Sequence, residues 1–295
     1  MKQIVVLSGK GGTGKTTVTA ALAHLLSARG RLVLMDADVD APNLELIARA
    51  EVTDGTPFVG GERAEIDAVR CTACGRCVEV CRYEAVLQAD GLYRVDALSC
   101  EGCAACYHQC PAGAIRMVER LSGHWFRSET RFGTLIHARL LAGEENSGKL
   151  VSCIRAEALD VAQQQGADYI LVDGSPGIGC PVIAAVTGAD LALLVAEPTL
   201  SGVHDLQRAL AVAAHFRVAT ALCINKCDIN PDMAQQIVAH GRERGIPVLA
   251  QIPYDDIVLE AMRRGLAVTE LRSSEVGRQC EALRRGLQRC FQAAE

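Results

Sequence analysis

A glycine-rich loop near the amino terminus constrains the fold of this chain more than any other stretch. Residues 9–17, called the phosphate loop below, contain the pattern G-x-x-x-x-G-K-[ST] and read Gly9-Lys10-Gly11-Gly12-Thr13-Gly14-Lys15-Thr16-Thr17. An apolar run precedes the loop and an Ala- and Leu-rich stretch follows it, which predicts strand, loop and helix. In that setting the loop N–H groups and the helix N-terminus face phosphate oxygens. The alternative is a glycine-rich turn without a ligand.

Two lysines of the loop have different predicted roles. Lys15 is placed to reach the β- and γ-phosphates of a nucleoside triphosphate, and the Thr16 hydroxyl to ligate Mg²⁺. Lys10 is a second lysine, and the run from Lys10 to Thr17 resembles the deviant phosphate loop of the MinD, Mrp-type and nitrogenase iron protein ATPases. The resemblance implies an ATP-dependent homodimer in which Lys10 acts on the nucleotide of the partner subunit. The alternative is a solvated surface lysine.

Carboxylates follow two of the predicted strands. Residues 31–35 form an apolar run that ends in Asp36-Ala37-Asp38-Val39-Asp40. Acids at the carboxyl ends of parallel strands face the ligand crevice of an α/β sheet. The segment resembles the family's switch I, which implies that Asp38 positions the attacking water and also lies at Mg²⁺, with Asp36 and Asp40 as helpers. An Asp-rich solvated turn is the alternative.

A later strand, residues 169–172, ends in Asp173, which is predicted to hold Mg²⁺. The residues after it resemble the family's switch II, which implies that the backbone N–H of Gly177 senses the γ-phosphate. The resemblance also implies that Asn225 and Pro253, each at the end of a predicted strand, flank the adenine. Either of these two residues could instead simply terminate its strand.

Eight of the fourteen cysteines lie in one block, residues 64–119. They form two runs of the pattern C-x₂-C-x₂-C-x₃-C, the spacing of bacterial ferredoxins with two [4Fe–4S] clusters, in which the fourth cysteine serves the other cluster. This resemblance assigns four cysteines to each cluster: Cys71, Cys74, Cys77 and Cys110 to the first, and Cys100, Cys103, Cys106 and Cys81 to the second. Four-cysteine zinc sites are the competing interpretation, but they leave half of each run unused. Arg82 replaces the proline that often follows the fourth cysteine.

Cys180 lies seven residues after Asp173. The nitrogenase iron protein has a cysteine at this spacing that ligates a cluster shared between subunits. The resemblance makes Cys180 a candidate ligand of a third metallocluster at the dimer interface, with Cys153 as a weak second candidate. Buried packing of a small residue is the alternative.

The composition of the chain limits the kinds of partner that we expect it to bind. The net charge is -5, aromatic residues make up 4% of the chain, and no basic tract is present, so nucleic acid is not expected. No apolar run has the length of a membrane span, so we do not expect a membrane protein. The sequence enters a strand at once and its thiols are not arranged as disulfides, so we expect a cytoplasmic protein. A predicted amphipathic helix, residues 275–295, fits membrane binding of the MinD type or, more simply, packing against the sheet.

These patterns predict a doubly wound, mainly parallel α/β sheet, residues 1–63 and 120–295, with an inserted ferredoxin-like domain of two [4Fe–4S] clusters, residues 64–119. The chain resembles the ferredoxin-containing MinD-type ATPases. That resemblance implies ATP hydrolysis in a dimer that drives assembly or transfer of a metallocluster to an acceptor protein or related ATPase. The alternatives are an ATP-gated electron donor of the nitrogenase iron protein type and a MinD-like positioning or recruitment module with structural clusters.

Overall fold

The computed structural model of the chain describes residues 1–52, 55–89, 91–144, 147–271 and 273–292. Its strands are β1 (Lys2–Ser8), β2 (Leu32–Asp36), β3 (Thr56–Ile66), β4 (Val86–Ala89), β5 (Leu92–Val95), β6 (Ile115–Thr130), β7 (Gly133–Leu140), β8 (Tyr169–Pro176), β9 (Leu191–Ala196), β10 (Ala219–Asn225) and β11 (Val248–Ile252). Its helices are α1 (Lys15–Ser27), α2 (Leu44–Ala48), α3 (Arg76–Glu79), α4 (Ala105–Gln109), α5 (Ser147–Gln165), α6 (Cys180–Val186), α7 (Leu200–His215), α8 (Pro231–Glu243), α9 (Ile257–Arg263) and α10 (Glu275–Gln292), with a 3₁₀ turn at Val268–Glu270.

The chain separates into two compact units. The first comprises Met1–Thr56, Trp125–Arg139 and Ser147–Glu295, and the second comprises Pro57–His124 and Leu140–Asn146. The cysteine block predicted as an insert, residues 64–119, lies within the second unit. The second unit extends beyond that block because β3 and β6 are longer strands than the short pieces that the sequence indicated at residues 64–67 and 114–118.

The first unit is organised around a sheet in the order β11-β10-β9-β1-β8-β2-β7, with the end of β6 beside β7. β1 pairs in parallel with β8 and β9, and the outer pairs β9–β10, β10–β11, β2–β8 and β2–β7 are also parallel. Strands β1, β2 and β9 are almost wholly buried, as expected where helices cover both faces of a parallel sheet. The predicted mainly parallel α/β fold is confirmed. The carboxyl ends of β1, β2, β8 and β10 therefore meet at one edge.

Helix α10 packs into the core of the first unit through Val276, Cys280, Leu283 and Leu287. Arg284 of the same helix is also buried, with 3% of its surface exposed. Its guanidinium forms a bidentate pair with Glu281, at 2.6 and 2.9 Å, one turn earlier on the same helix. That pairing removes the cost of burying an unpartnered charge. Residues 293–295, also predicted as helix, lie outside the described residues.

Among the described residues, none of the helices combines the length and the apolar character that a membrane crossing requires.

The second unit has a small core of its own, and five of the eight clustered cysteines belong to it or pack against it. Buried Cys77 and Cys100 pack with small and medium apolar side chains, and Cys81, Cys106 and Cys110 lie against them. β4 and β5 form an antiparallel pair in this unit. So small an apolar core is expected to need additional cross-linking, as in other small domains.

Candidate functional site

A cleft of about 410 Å³ opens at the carboxyl edge of the first unit's sheet. The phosphate loop forms one side, and the segments after β10 and β11 form the other. The residues predicted to bind nucleotide that line it are Gly11, Gly12, Thr13, Gly14, Lys15, Thr16, Thr17, Asp38, Asn225 and Pro253. The cleft extends over apolar side chains of α9 and α10, which suits the flat, apolar faces of a nucleobase.

Asp173, at the carboxyl end of β8, joins three residues of the loop and α1. Its Oδ1 lies 2.8 Å from Lys15 Nζ and accepts a hydrogen bond from Thr19 Oγ1 at 2.9 Å. Its Oδ2 accepts a hydrogen bond from Thr16 Oγ1 at 2.6 Å. The carboxylate is completely buried, so these contacts replace its hydration. The sequence predicted Lys15, Thr16 and Asp173 as site residues, but not Thr19, which lies one turn after Lys15.

Asp36, at the end of β2, organises the loop that follows it. Its Oδ1 accepts the N–H of Asp38 at 3.0 Å, and its Oδ2 accepts the N–H groups of Asn43 at 3.2 Å and Leu44 at 3.1 Å. Burial, together with the nearby Asp173 carboxylate, raises the pKa of Asp36 to about 7, although Lys15 opposes the shift. The sequence assigned Asp36 only a helper role near Mg²⁺; the structure also gives it the task of holding the Asp38 segment.

The two other acids after β2 differ in position. Asp38 is half-buried and lines the cleft, and burial raises its pKa although Lys15 opposes the shift. Asp40 is exposed and does not line the cleft, so its predicted helper role is not supported by this arrangement. Asp38 is therefore the acid of this segment that lines the cleft, and its role in orienting water stays a prediction.

Lys10 does not line the cleft of its own chain. Its Nζ lies 3.2 Å from Thr199 Oγ1 and 3.1 Å from Ser201 Oγ, at the start of α7. Thr199 also caps that helix by accepting the N–H of Gly202 at 3.0 Å, which explains why α7 begins at Leu200. The Lys10 ammonium therefore points away from the cleft next to it.

The strand-end residues predicted to flank adenine contact the loop. Asn225 Nδ2 donates to the Thr13 carbonyl at 2.7 Å and lies so close to Gly14 that a Cβ there would be 2.2 Å from it. Gly14 also has a φ of 89°, a conformation that favours glycine. One N–H of the Asn225 amide thus supports the phosphate loop at Thr13, and the contact of Asn225 with the base stays a prediction. Pro253 lines the cleft as expected.

The sequence also predicts functional roles for Gly177 and Cys180, which follow β8. The N–H of Gly177 donates to the Ser8 carbonyl of β1 at 3.0 Å, and its role in sensing the γ-phosphate stays a prediction. Cys180 is the first residue of α6 and is exposed, while Cys153 is half-buried in α5, where burial raises its thiol pKa. The assignment of Cys180 to a shared cluster stays a prediction.

Two buried acids at the ends of neighbouring strands fit a bound Mg²⁺. Asp36 and Asp173 are register partners on β2 and β8, both are fully buried, and the Asp173 carboxylate contributes to the raised pKa of Asp36. Thr16 adds a hydroxyl oxygen 2.6 Å from Asp173. Within the described ranges, no three His, Cys, Asp or Glu side chains converge on one point to hold a metal ion. Mg²⁺ needs no such set, because it typically uses one or two carboxylates together with substrate phosphates and water.

A second candidate site lies in the second unit, where two small cavities divide the eight clustered cysteines. One is lined by Cys71, Cys74, Cys77 and Cys110. The other is lined by Cys81, Cys100, Cys103 and Cys106. Each cavity thus contains three cysteines of one run and the fourth cysteine of the other run.

The backbone around the two cavities repeats itself. The residues on either side of the second cysteine of each run have positive φ: Ala73 and Gly75 in the first, Gly102 and Ala104 in the second. In each run, too, the fourth cysteine accepts an N–H through its sulfur, from Ala85 to Cys81 and from Ala114 to Cys110, both at 3.3 Å. Left-handed residues alternating in this way turn N–H groups toward one concavity, an arrangement typical of phosphate and iron–sulfur sites.

Comparison with known proteins relates the first unit's cleft to a family. Residues 4–268 match the CobQ/CobB/MinD/ParA nucleotide binding domain. The uncharacterized protein MJ0578 of Methanocaldococcus jannaschii is 36% identical over 228 residues, which cover 77% of this chain and 79% of that protein.

Solved structures with a similar fold include the septum site-determining protein MinD of Pyrococcus horikoshii complexed with Mg-ADP, with a TM-score of 0.60 at 18% identity, over 97% of this chain and 95% of that one. The MinC:MinD cell division complex of Aquifex aeolicus gives 0.59 at 19%, over 98% and 96%. At these identities the likeness concerns the fold. The extent of the family match and the phosphate loop together show that this chain belongs to the CobQ/CobB/MinD/ParA nucleotide-binding domain family.

Proposed function

We propose that this protein is a Mg²⁺-dependent ATPase whose nucleotide state controls a homodimer and, through it, the recruitment of a partner protein. The observation that carries the proposal is the contact of Asp173 with both Lys15 and Thr16 beneath a phosphate loop, with Asp38 lining the same cleft. These are the groups that phosphoryl transfer to water requires: donors for the phosphates, oxygen ligands for a divalent cation and an acid that orients water.

Residues of this chain carry out the proposed steps of ATP hydrolysis. The loop N–H groups and Lys15 hold the phosphates and stabilise the charge that develops on them, and Thr16 and Asp173 are the residues that hold Mg²⁺. When bound, Mg²⁺ supplies further neutralisation of phosphate charge. Asp38 orients the water that attacks the γ-phosphate, while Asp36 fixes the backbone of Asp38 by accepting its N–H. The overall reaction is ATP + H₂O → ADP + phosphate.

Dimerisation completes the proposed site. Lys10 is directed away from its own cleft and is held only through two hydroxyl groups of the α7 start. Both contacts are easily exchanged for water, so the lysine is available to a partner subunit's phosphates. On this proposal Lys10 contributes to hydrolysis only in the dimer.

We favour recruitment of a partner protein over delivery of clusters or electrons because similar solved structures include MinD proteins. The fold matches MinD, which has been solved together with MinC. A protein that binds a partner in one nucleotide state and releases it in the other needs only the first unit's cleft and a dimer surface. We place this activity in the cytoplasm, where thiols remain reduced.

We further propose that the second unit binds two [4Fe–4S] clusters, one in each cysteine cavity. The crossed distribution of the cysteines and the repeated positive-φ residues support this assignment. A cubane binds its four thiolates through four different irons, so the sulfurs need not converge on one point as they would around zinc. This observation supports a second candidate function, in which the cycle governs delivery of a cluster or of electrons to an acceptor protein.

Two measurements test the proposals. Purified protein should hydrolyse ATP with Mg²⁺, and the rate per chain should rise with protein concentration; absence of hydrolysis at every concentration would contradict the ATPase assignment. Anaerobically prepared protein should contain about eight irons and eight sulfides per chain, as two [4Fe–4S] clusters require. A content near two zinc ions and no sulfide would exclude the clusters. Cluster oxidation that needs both ATP and an acceptor, followed by EPR, would favour electron delivery over recruitment.

A further inference from the structure

We infer that Lys226 is a positioning residue that fixes the shape of the phosphate loop, and that Glu197 holds Lys226 for this task. The inference rests on the proposed nucleotide binding and names residues that the loop motif does not contain. Lys226 follows β10 directly, and Glu197 follows β9.

The loop's own geometry creates the need for such a residue. A loop that turns its N–H groups inward toward phosphates turns carbonyl groups outward, where they require donors. Asn225 and Lys226, consecutive in sequence, meet this need at consecutive carbonyls: Asn225 Nδ2 donates to Thr13 at 2.7 Å, and Lys226 Nζ donates to Gly12 at 3.1 Å. Two donors from one strand end therefore hold two adjacent loop peptides.

Lys226 reaches the loop from an unusual backbone conformation. Its φ is 54°, in the left-handed region, where residues other than glycine, asparagine and aspartate are uncommon. Neighbouring hydrogen bonds keep it there: the N–H of Ile229 donates to the Lys226 carbonyl at 3.1 Å, and that of Cys227 to the Ile252 carbonyl at 3.0 Å. A strained residue maintained in this way is typical of functional sites.

Glu197 fixes the other end of the contact. Its Oε2 lies 3.3 Å from Lys226 Nζ, and the two side chains are 14% and 28% exposed. The ammonium is therefore held between the carboxylate and the Gly12 carbonyl. Two of its three N–H donors are directed at these groups, and Lys226 shapes the loop at the edge of the cleft that it also lines.

This arrangement predicts a specific kinetic pattern. Lys226→Met removes the donor to Gly12, and the Kd values for Mg-ATP and Mg-ADP should both rise about tenfold, the usual effect of losing one hydrogen bond to a charged group. The KM for ATP should rise in parallel while kcat changes less than twofold, because loop shape affects ground and transition state alike. Lys226→Arg, which keeps a charged donor, should restore most of the affinity.

Glu197→Gln separates loop positioning from simple charge attraction. The variant makes the site more positive, so charge alone would strengthen the binding of an anionic nucleotide. Loop positioning predicts the opposite, an affinity about threefold weaker, since Lys226 loses its ionic partner. Because Glu197 acts only through Lys226, the double variant should bind as weakly as Lys226→Met and no weaker.

The experiment measures Mg-ADP and Mg-ATP binding and steady-state hydrolysis for the wild-type protein, the three single variants and the double variant. Arg242→Met removes an exposed charge from α8 and serves as the control for net charge, and circular dichroism checks the fold.

A wild-type protein that binds no nucleotide overturns the proposed function itself. Wild-type binding with unchanged affinity in Lys226→Met, tighter binding in Glu197→Gln, or additive losses in the double variant would each overturn only the role of Lys226. Should Lys226→Met fail to fold, Glu197→Gln alone decides by the sign of its effect.

Discussion

Lys15 and Asp173 form an ion pair at 2.8 Å in which the lysine side chain is 7% exposed and the carboxylate is not exposed at all. The pair joins the phosphate loop to the end of β8. Asp173 also accepts hydrogen bonds from Thr16 and Thr19, which do not involve Lys15. The lysine can therefore move to a phosphate without leaving the carboxylate unpartnered.

Breaking this pair from one side should destabilise the protein. Lys15→Met leaves Asp173 buried without a cation, and we expect a loss of about 3 kcal/mol in the free energy of unfolding. Lys15→Met/Asp173→Asn removes both charges and should recover part of that loss. Urea unfolding of the nucleotide-free protein checks both values; a double variant no more stable than Lys15→Met would show that the buried charge is not the cause.

The crossed assignment of the cysteines predicts which pairs of substitutions act on one cluster. Cys71 and Cys110 line the same cavity, whereas Cys81 lines the other. Cys71→Ala/Cys110→Ala should therefore keep about four irons per chain, and Cys71→Ala/Cys81→Ala should keep almost none. Iron and sulfide analysis of anaerobically prepared variants measures this. The reverse result would assign each cluster to a single run.

Lys10 should matter for hydrolysis and not for nucleotide binding. It lies outside its own cleft, so Lys10→Ala should leave the Kd for Mg-ADP within about twofold of wild type, a difference of less than 0.5 kcal/mol. The ATPase rate should fall at least tenfold and lose its dependence on protein concentration, because the loop of one subunit would no longer complete the other's site. Arg242→Ala controls for the lost charge. Unchanged turnover would refute the role across the dimer.

The sequence predicted the parts of the site that local pattern determines. The loop motif, the acids after β2 and β8 and the cysteine spacing all concern residues close together in the chain. It did not predict that Lys226 contacts Gly12 or that Asn225 serves the loop, because these contacts join residues more than 200 positions apart. A polar pair directly after a strand was the available signal, and it is equally typical of an ordinary strand end.

His137 should make stability depend on pH. The imidazole is fully buried, hydrogen-bonded to Ser128 at 3.0 Å, and lies 3.0 Å from a carboxylate oxygen of Glu45 without hydrogen-bond alignment. Burial lowers the pKa of His137, although Glu45 opposes this shift. The native state therefore binds fewer protons here than the unfolded state, and the contribution of His137 to stability falls as the pH drops through about 6.5.

The test compares urea unfolding of wild type and His137→Gln at pH 7.5, 6.5 and 5.5. The difference in unfolding free energy should shrink toward low pH, by at most about 1.4 kcal/mol per pH unit. Asp36, whose pKa is raised to about 7, acts in the opposite direction, so only this difference isolates the histidine. His204→Gln, at an exposed position, is the matched control. A constant difference across the range would contradict the prediction.

Helix α10 is part of the first unit's core, and this changes how membrane recruitment should be tested. Leu283 is fully buried, and Leu283→Ala should cost about 3 kcal/mol of stability, whereas the exposed Arg289→Ala should cost little. Val276 and Cys280 of the same helix also line the nucleotide cleft. Deleting residues 275–295 is therefore expected to lower stability and nucleotide affinity together, so a loss of vesicle binding after truncation would not identify a membrane anchor.

The variant that tests membrane binding is Arg285→Glu/Arg289→Glu, which reverses two exposed charges of α10 and leaves the buried face intact. We expect no ATP-dependent sedimentation of the wild-type protein with anionic vesicles, because the apolar face that would enter the bilayer is already buried. Sedimentation that this charge reversal abolishes would show that α10 binds membranes through its arginines.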